Sequence, residues 1–251
     1  MKTLTGKFAL ITGGGTGVGR ATALSLARQG AGVIINYSKS VAEAERTCQD
    51  VATQGVPAMT VQADVSDDAQ VVAMVAQVEH RFGRLDILVN NAGFTRFVDN
   101  ADLYSLDEQE WERTFRVNVN GTFYCCRAVA PLMKKNGWGR IVNIASVAGL
   151  TGRGSSIAYA ASKAAVISLT KSLAQVLAPE ITVNAIAPGL IETRWLDGVA
   201  RVDQLRESFL ANSLLGRVGT PEDVAEVAIG LVTNMNFVTG QTIVVDAGRM
   251  M

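Results

Sequence analysis

The chain has 251 residues, with 23 basic and 23 acidic side chains in balance and 48% hydrophobic residues. That content builds a large buried core, and the zero net charge gives no attraction to nucleic acid or to an anionic membrane. The three cysteines (Cys48, Cys125, Cys126) include no Cys-x-x-Cys pair, so the reading is a reducing, cytoplasmic setting with neither a structural disulfide nor a zinc site.

Met1–Lys7 lacks the apolar centre of a signal peptide, and no apolar run is long enough to span a bilayer. Phe8–Ile11 is a short apolar run, read as a buried strand. It feeds into Thr12-Gly13-Gly14-Gly15-Thr16-Gly17-Val18-Gly19, after which Arg20–Arg28 has the Ala and Leu content of a helix. Strand, glycine turn and helix in succession let backbone N–H groups and a helix N-terminus face a pyrophosphate. A second strand, Val33–Asn36, follows about twenty residues on, which favours a dinucleotide site over a merely flexible turn. No acid stands at its end, where an NAD site accepts from the adenosine ribose hydroxyls. Ser38 and Lys39 can instead hold a 2′-phosphate, so NADP(H) is favoured and NAD(H) stays possible; the alternative is a solvated turn whose lysine touches nothing.

Val41–Gln54 is expected to be helical, Ala58–Gln62 a third strand, and Asp68–Phe82 a helix capped by Ser66 or Asp67. Asp64 either approaches the adenine ring or shapes the turn. His80, the single histidine, falls near that helix's end as a solvated residue, which nearly excludes histidine catalysis. Leu85–Val89 is the fourth strand and runs into Asn90-Asn91-Ala92-Gly93, suited to the crevice where strand order reverses. Asp107–Val119 reads as a helix with Trp111 and Phe115 in the core. Asn118, between two valines, is costly unless bonded, so it is a structural hydrogen bonder or a site residue. Gly121–Lys134 continues helical, Arg140–Ile144 is the fifth strand, and Ser146 emerges at the same sheet edge as Asn90 and Gly93.

A loop, Leu150–Ala158, leads to the helix that carries Tyr159 and Lys163. Four residues apart, they share one helical face. An ordinary tyrosine has a pKa of about 10, and a nearby ammonium favours phenolate, so such a phenol can exchange a proton with an oxygen substituent near neutrality. Taken alone, the pair is better read as an amphipathic helix with a snorkelling lysine. Ile181–Ala187 is the sixth strand, closed by Pro188-Gly189. Leu190–Leu215 breaks the strand–helix rhythm and is read as a mobile helical lid over a substrate, a fixed insertion being the alternative. Pro221 opens a helix through Thr233, and Gln241–Val245 is the seventh strand. With no linker, repeat or low-complexity tract, residues 1–251 are expected to form one domain.

In their order and spacing, Thr12-Gly13-x-x-x-Gly17-x-Gly19, Asn90-Asn91-Ala92-Gly93, Asn118, Ser146, Tyr159-x-x-x-Lys163 and Pro188-Gly189 resemble the short-chain dehydrogenase/reductase superfamily along nearly the whole chain. The resemblance implies an α/β, single-domain Rossmann fold with a seven-stranded parallel sheet, helices on both faces, and a homotetramer. It implies that Tyr159 is the general acid in carbonyl reduction or the base in alcohol oxidation. Lys163 would lower the Tyr159 pKa and bind the nicotinamide ribose, Ser146 would hydrogen-bond the substrate oxygen, and Asn118 would hold a water leading protons to Lys163. Hydride transfer needs no metal. Cofactor contacts are implied at Gly13, Gly15, Thr16, Gly17, Val18, Gly19, Tyr37, Ser38, Lys39, Asp64, Val65, Asn91, Ala92, Gly93, Tyr159, Lys163, Pro188, Gly189, Ile191 and Thr193.

Within the superfamily the chain looks most like 3-oxoacyl-[acyl-carrier-protein] reductases, glucose dehydrogenases and ketone reductases. Asn136 and Glu180 stand where carrier-protein reductases are commonly basic, and Thr16 where NADP-preferring members often are. Glu192-Thr193-Arg194-Trp195 departs from the acid and Met that often follow the Thr in carrier-protein reductases. A reductase of small ketones or aldehydes, reversible with secondary alcohols, is therefore expected; a 3-oxoacyl-[acyl-carrier-protein] reductase is the alternative, and a non-catalytic dinucleotide-binding protein a remote one. Enoyl reductases of the superfamily space Tyr and Lys seven apart, and halohydrin dehalogenases lose the glycine turn and replace the Lys. The substrate pocket is expected at Phe94, Arg96, Leu150, Arg153, Leu190 and Trp195.

Overall fold

Because successive strand residues face opposite sides of a sheet, a strand apolar at every position needs cover on both faces. In the computed structural model, which describes residues 3–200 and 202–250, this is the arrangement found. Met1, Lys2, Arg201 and Met251 lie outside the described residues, so the expected N-terminal stretch is described from Thr3 and the lid without Arg201.

The strands are β1 (Phe8–Ile11), β2 (Gly32–Tyr37), β3 (Ala58–Gln62), β4 (Ile87–Asn90), β5 (Gly139–Ile144), β6 (Ile181–Pro188) and β7 (Thr242–Val245), all parallel, in the order β3-β2-β1-β4-β5-β6-β7. Order therefore reverses between β1 and β4, the place where a crevice opens beyond the strands' carboxyl ends. Leu10, Ile34, Leu88, Ile141 and Val183 point into one core, under helices α3 (Asp68–Phe82), α5 (Gly121–Lys135) and α7 (Ile157–Leu177). Their neighbours Ala9, Ile11, Val33, Ile35, Val89 and Val142 point into the other, under α1 (Gly17–Arg28), α2 (Val41–Ala52) and α9 (Pro221–Thr233).

Local chemistry sets the helix ends. Asp67 rather than Ser66 caps α3, accepting from the Gln70 N–H, and Gly83 closes it at φ +70°. Thr220 and Asp223 form a reciprocal capping box with Pro221 at the start of α9. His80 is exposed in the last turn of α3. The expected start of α1 at Arg20 moves back to Gly17, inside the glycine turn.

Three expectations need correction. The long helix expected from Asp107 is α4 (Glu108–Phe115), a wide π-type turn at Arg116–Asn120, and then α5. Trp111 is not core: it is 40% exposed and stacks on Phe115 at 5.4 Å between ring centres, because helical spacing shows which face is apolar and not whether anything covers it. The loop expected at Leu150–Ala158 begins inside the short helix α6 (Ala148–Thr151) and ends where Ser156 caps α7, accepting from the Tyr159 N–H at 3.2 Å. Between Leu190 and Leu215 lie a 3-10 turn (Arg194–Leu196) and α8 (Val202–Asn212).

Candidate active site

The two loops at the reversal of strand order are bolted together by side chains. Thr12 Oγ1 accepts from the backbone N–H groups of both Asn91 and Ala92 at 3.0 Å, and Asn91 Nδ2 donates to the Thr12 and Gly13 carbonyls at 3.0 Å. Asn36, 2% exposed at the end of β2, accepts from Gly13 N–H at 3.4 Å and donates to the Ala63 carbonyl at 3.0 Å. Buried Thr47 of α2 donates to the Gly15 carbonyl at 2.9 Å. Asn36 and Thr47 escape a sequence reading; the one signal is a polar Asn ending the apolar run Val33–Ile35.

The turn itself fits an anionic pyrophosphate. Gly13 and Gly17 hold φ of +60° and +53°, and a Cβ on Gly15 would stand 3.0 Å from the Ala44 nitrogen. The first turn of α1 carries no acidic side chain, and its Thr16 N-cap makes no side-chain cap bond, so the helix's N-terminal end is left uncapped by any side chain and suited to meet negative charge. Gly19 does a different job from its neighbours. It lies behind the turn, where a Cβ would come within 2.5 Å of Asn91 Nδ2 and of the Gly13 carbonyl, so it packs helix against loop.

From this turn a cleft of about 1820 Å³ runs across the carboxyl ends of the strands. It is lined by Gly13, Gly15, Thr16, Gly17 and Val18, by Tyr37–Ser40, by Asp64 and Val65, and by Asn91–Gly93. Further along come Ser146, Tyr159, Lys163, Pro188, Gly189, Ile191 and Thr193. The sequence-derived cofactor positions thus share one cleft, apart from Gly19. Asp64 shapes its turn, accepting from Ser66 N–H at 2.9 Å and Ser66 Oγ at 2.7 Å. Of the expected pocket residues, Phe94, Arg153, Leu190 and Trp195 line the cleft. Leu150 does not; it borders a separate cavity with Ile167 and Lys171, because α6 turns it away, and Arg96 is likewise outside the lining.

Tyr159 and Lys163 face the cleft from one side of α7, with Lys163 Nζ 5.6 Å from the phenol ring centre. Two glycines allow this. A Cβ on Gly149 would stand 2.6 Å from the Ala164 nitrogen and the Lys163 carbonyl carbon, and one on Gly154 would stand 3.3 Å from Tyr159 Cδ1. Lys163 Nζ donates to the Ile144 carbonyl at 2.7 Å. Burial draws the Lys163 ammonium down to about 8. Burial also pushes the Tyr159 phenol up to about 12, with the facing Ser146 hydroxyl opposing it. The expected depression of the phenol by Lys163 is therefore not found in these side chains alone: desolvation dominates, and Ser146 is the group that opposes it.

Asn118 is 1% exposed and lies outside the cleft lining. Its Oδ1 accepts from Phe94 N–H at 2.7 Å, and its Nδ2 donates to the Phe94 carbonyl at 3.0 Å and to Ser162 Oγ at 2.9 Å. Ser162 in turn donates to the Tyr159 carbonyl at 2.7 Å. Asn118 thus ties the segment after Gly93 to the Tyr159 helix, and Ser162, missed in the sequence, is the link. Above them, Trp195 sits 6.2 Å from Tyr159 between ring centres. A Cβ on Gly93 would lie 3.6 Å from Trp195 Cη2 and 3.8 Å from Lys163 Nζ.

Comparison with known proteins gives the family. A family model described as enoyl-(acyl carrier protein) reductase matches residues 13–249. The 3-oxoacyl-[acyl-carrier-protein] reductase FabG of Staphylococcus aureus is 41% identical over 247 residues, covering 98% of both chains. A 3-oxoacyl-[acyl-carrier-protein] reductase of Synechocystis is 39% identical over 254 residues and 100% of both. A crystal structure from Burkholderia xenovorans, described as a short-chain dehydrogenase/reductase, superposes with TM-score 0.90 at 37% identity, covering 97% of this chain and 98% of that one.

Proposed function

Because the chain belongs to the short-chain dehydrogenase/reductase superfamily and is an NAD(P)-dependent oxidoreductase, we propose that it reduces a ketone or aldehyde, or oxidises the matching secondary alcohol, through Ser146, Tyr159 and Lys163. The single observation that carries this reading is their convergence in a cleft continuous with the glycine turn. The glycine turn and these cleft residues would hold a nicotinamide cofactor, which would supply or accept the hydride. In reduction, the Tyr159 phenol gives its proton to the carbonyl oxygen, and Ser146 donates a hydrogen bond to the same oxygen as charge develops on it. Lys163, held by the Ile144 carbonyl, stabilises the phenolate left behind. Asn118 holds the floor at Phe94 and the α7 backbone in register, so we assign it positioning rather than proton relay.

We read residues 1–251 as one dinucleotide-binding domain, with residues 190–215 as the substrate lid. NADP(H) is the preferred cofactor in this reading, supported by Ser38 and Lys39 in the cleft and by the absence of an acid at the end of β2. The likeness to carrier-protein reductases supports a homotetramer and a cytoplasmic setting; no described helix is long and apolar enough to cross a membrane. A second substrate reading, a 3-oxoacyl group on acyl-carrier protein, is favoured by the names of the Staphylococcus and Synechocystis relatives. Against an enoyl reductase stands the four-residue spacing of Tyr159 and Lys163. Tyr159→Phe tests the chemistry: turnover with a panel of ketones should fall by orders of magnitude while NADPH binding survives, and near-normal turnover refutes the role. Rates with acetoacetyl-carrier protein far above those with free ketones decide for the second substrate.

A further inference from the structure

Three consecutive lid residues touch three separate parts of the cleft. The Thr193 methyl lies over Gly17, 3.3 Å from where a Cβ would stand. Trp195 lies beside Tyr159 and Gly93. Arg194 turns the other way, to the end of β2. Its Nη2 donates to Ser40 Oγ at 3.3 Å and its Nη1 lies 3.4 Å from Glu43 Oε1, contacts that span 154 and 151 residues of sequence. Arg194 lines the cleft together with Ser38, Lys39 and Ser40. Ser40 spends no side-chain bond on capping α2, so its hydroxyl is available, and Thr16 brings no charge.

We propose that Arg194 is the lid's specificity residue for the 2′-phosphate of the cofactor, exchanging Glu43 for the phosphate and clamping it with Lys39 and the serines. This rests on the cleft being a dinucleotide site. The Arg194–Glu43 pair is long and half-exposed, with side chains 51% and 42% accessible, and such pairs hold weakly. A phosphate dianion offers a guanidinium the stronger, forked hydrogen bonding. Without a 2′-phosphate, Arg194 stays with Glu43 and the cofactor gains nothing from it. The segment that covers the reacting end thereby reads the far end of the cofactor.

Calorimetric titration of the full chain with two probes, adenosine 2′,5′-bisphosphate and adenosine 5′-monophosphate, tests this without turnover. The wild type should bind the bisphosphate the more tightly. Arg194→Gln should weaken the bisphosphate about tenfold and leave the monophosphate unchanged, with Arg194→Lys restoring part of the loss. Glu43→Gln, which removes the competing carboxylate, should tighten the bisphosphate about threefold. Equal binding of both probes by the wild type, an Arg194→Gln variant that discriminates as strongly as the wild type, or one that weakens both probes alike overturns the inference. If neither probe binds the wild type, the dinucleotide reading falls with it; if the wild type discriminates and Arg194→Gln does so undiminished, only the role of Arg194 falls.

Discussion

Lys163→Met should unfold less readily than the parent near pH 7 and more readily near pH 10. Lys163 is 4% exposed, and burial draws its pKa from 10.5 to about 8. Between those values the unfolded chain holds a proton that the folded chain does not, so stability falls as pH drops from about 10.5 to about 8 and is level below. The full cost of charging Lys163 in place is about 3 kcal/mol, from about 1.4 kcal/mol per pKa unit. Methionine fills similar space without a charge, but it forfeits the 2.7 Å hydrogen bond to the Ile144 carbonyl, worth about 1–3 kcal/mol when its partner stays buried. Near pH 7 the first effect wins by about 1 kcal/mol; near pH 10 the second does, a swing of about 2 kcal/mol. Urea unfolding of both proteins without cofactor, at equal concentration, measures it. A stability difference that stays constant from pH 7 to pH 10 refutes the reasoning.

Asn118→Ala strands the Phe94 N–H and carbonyl and should cost about 2–4 kcal/mol in urea unfolding; a loss under 1 kcal/mol would mean that water replaces the amide. Gly149→Ala should shift α6 against α7 and lower kcat more than it weakens adenosine 5′-monophosphate, since the crowding falls on Lys163 and not on the glycine turn; an equal loss in both would point to general unfolding. Ser146→Ala removes the group that opposes the rise of the Tyr159 pKa, so the alkaline rise in alcohol oxidation should move to higher pH, with turnover down about a hundredfold or more; an unmoved pH profile would separate Ser146 from the phenol.

Much of this arrangement was legible because it is local. β3 and α3 begin and end where apolar periodicity and turn residues place them, and the motifs at strand ends fall in one cleft because parallel strands deliver their carboxyl ends to one edge. What escaped was of long range. Nothing around Arg194 tells that it meets Ser40 across 154 residues, and nothing around Thr47 tells that its hydroxyl reaches Gly15. Trp111 shows the same gap in reverse, since an apolar helical face in sequence does not say whether another element covers it. The raised phenol pKa at Tyr159 was invisible for a similar reason: proximity to Lys163 can be counted along a helix, whereas burial depends on everything packed around both.

The wide turn at Arg116–Asn120 makes chain length itself a structural parameter. A regular helix advances about 100° per residue, so deleting one residue there would revolve α4 against α5 by roughly that angle. Asn118 would keep its hold on Phe94 only by turning Trp111 and Phe115 to a new side, or α4 would stay seated and the amide would point elsewhere. A one-residue gap in this stretch should therefore be more damaging than substitution of either flanking valine.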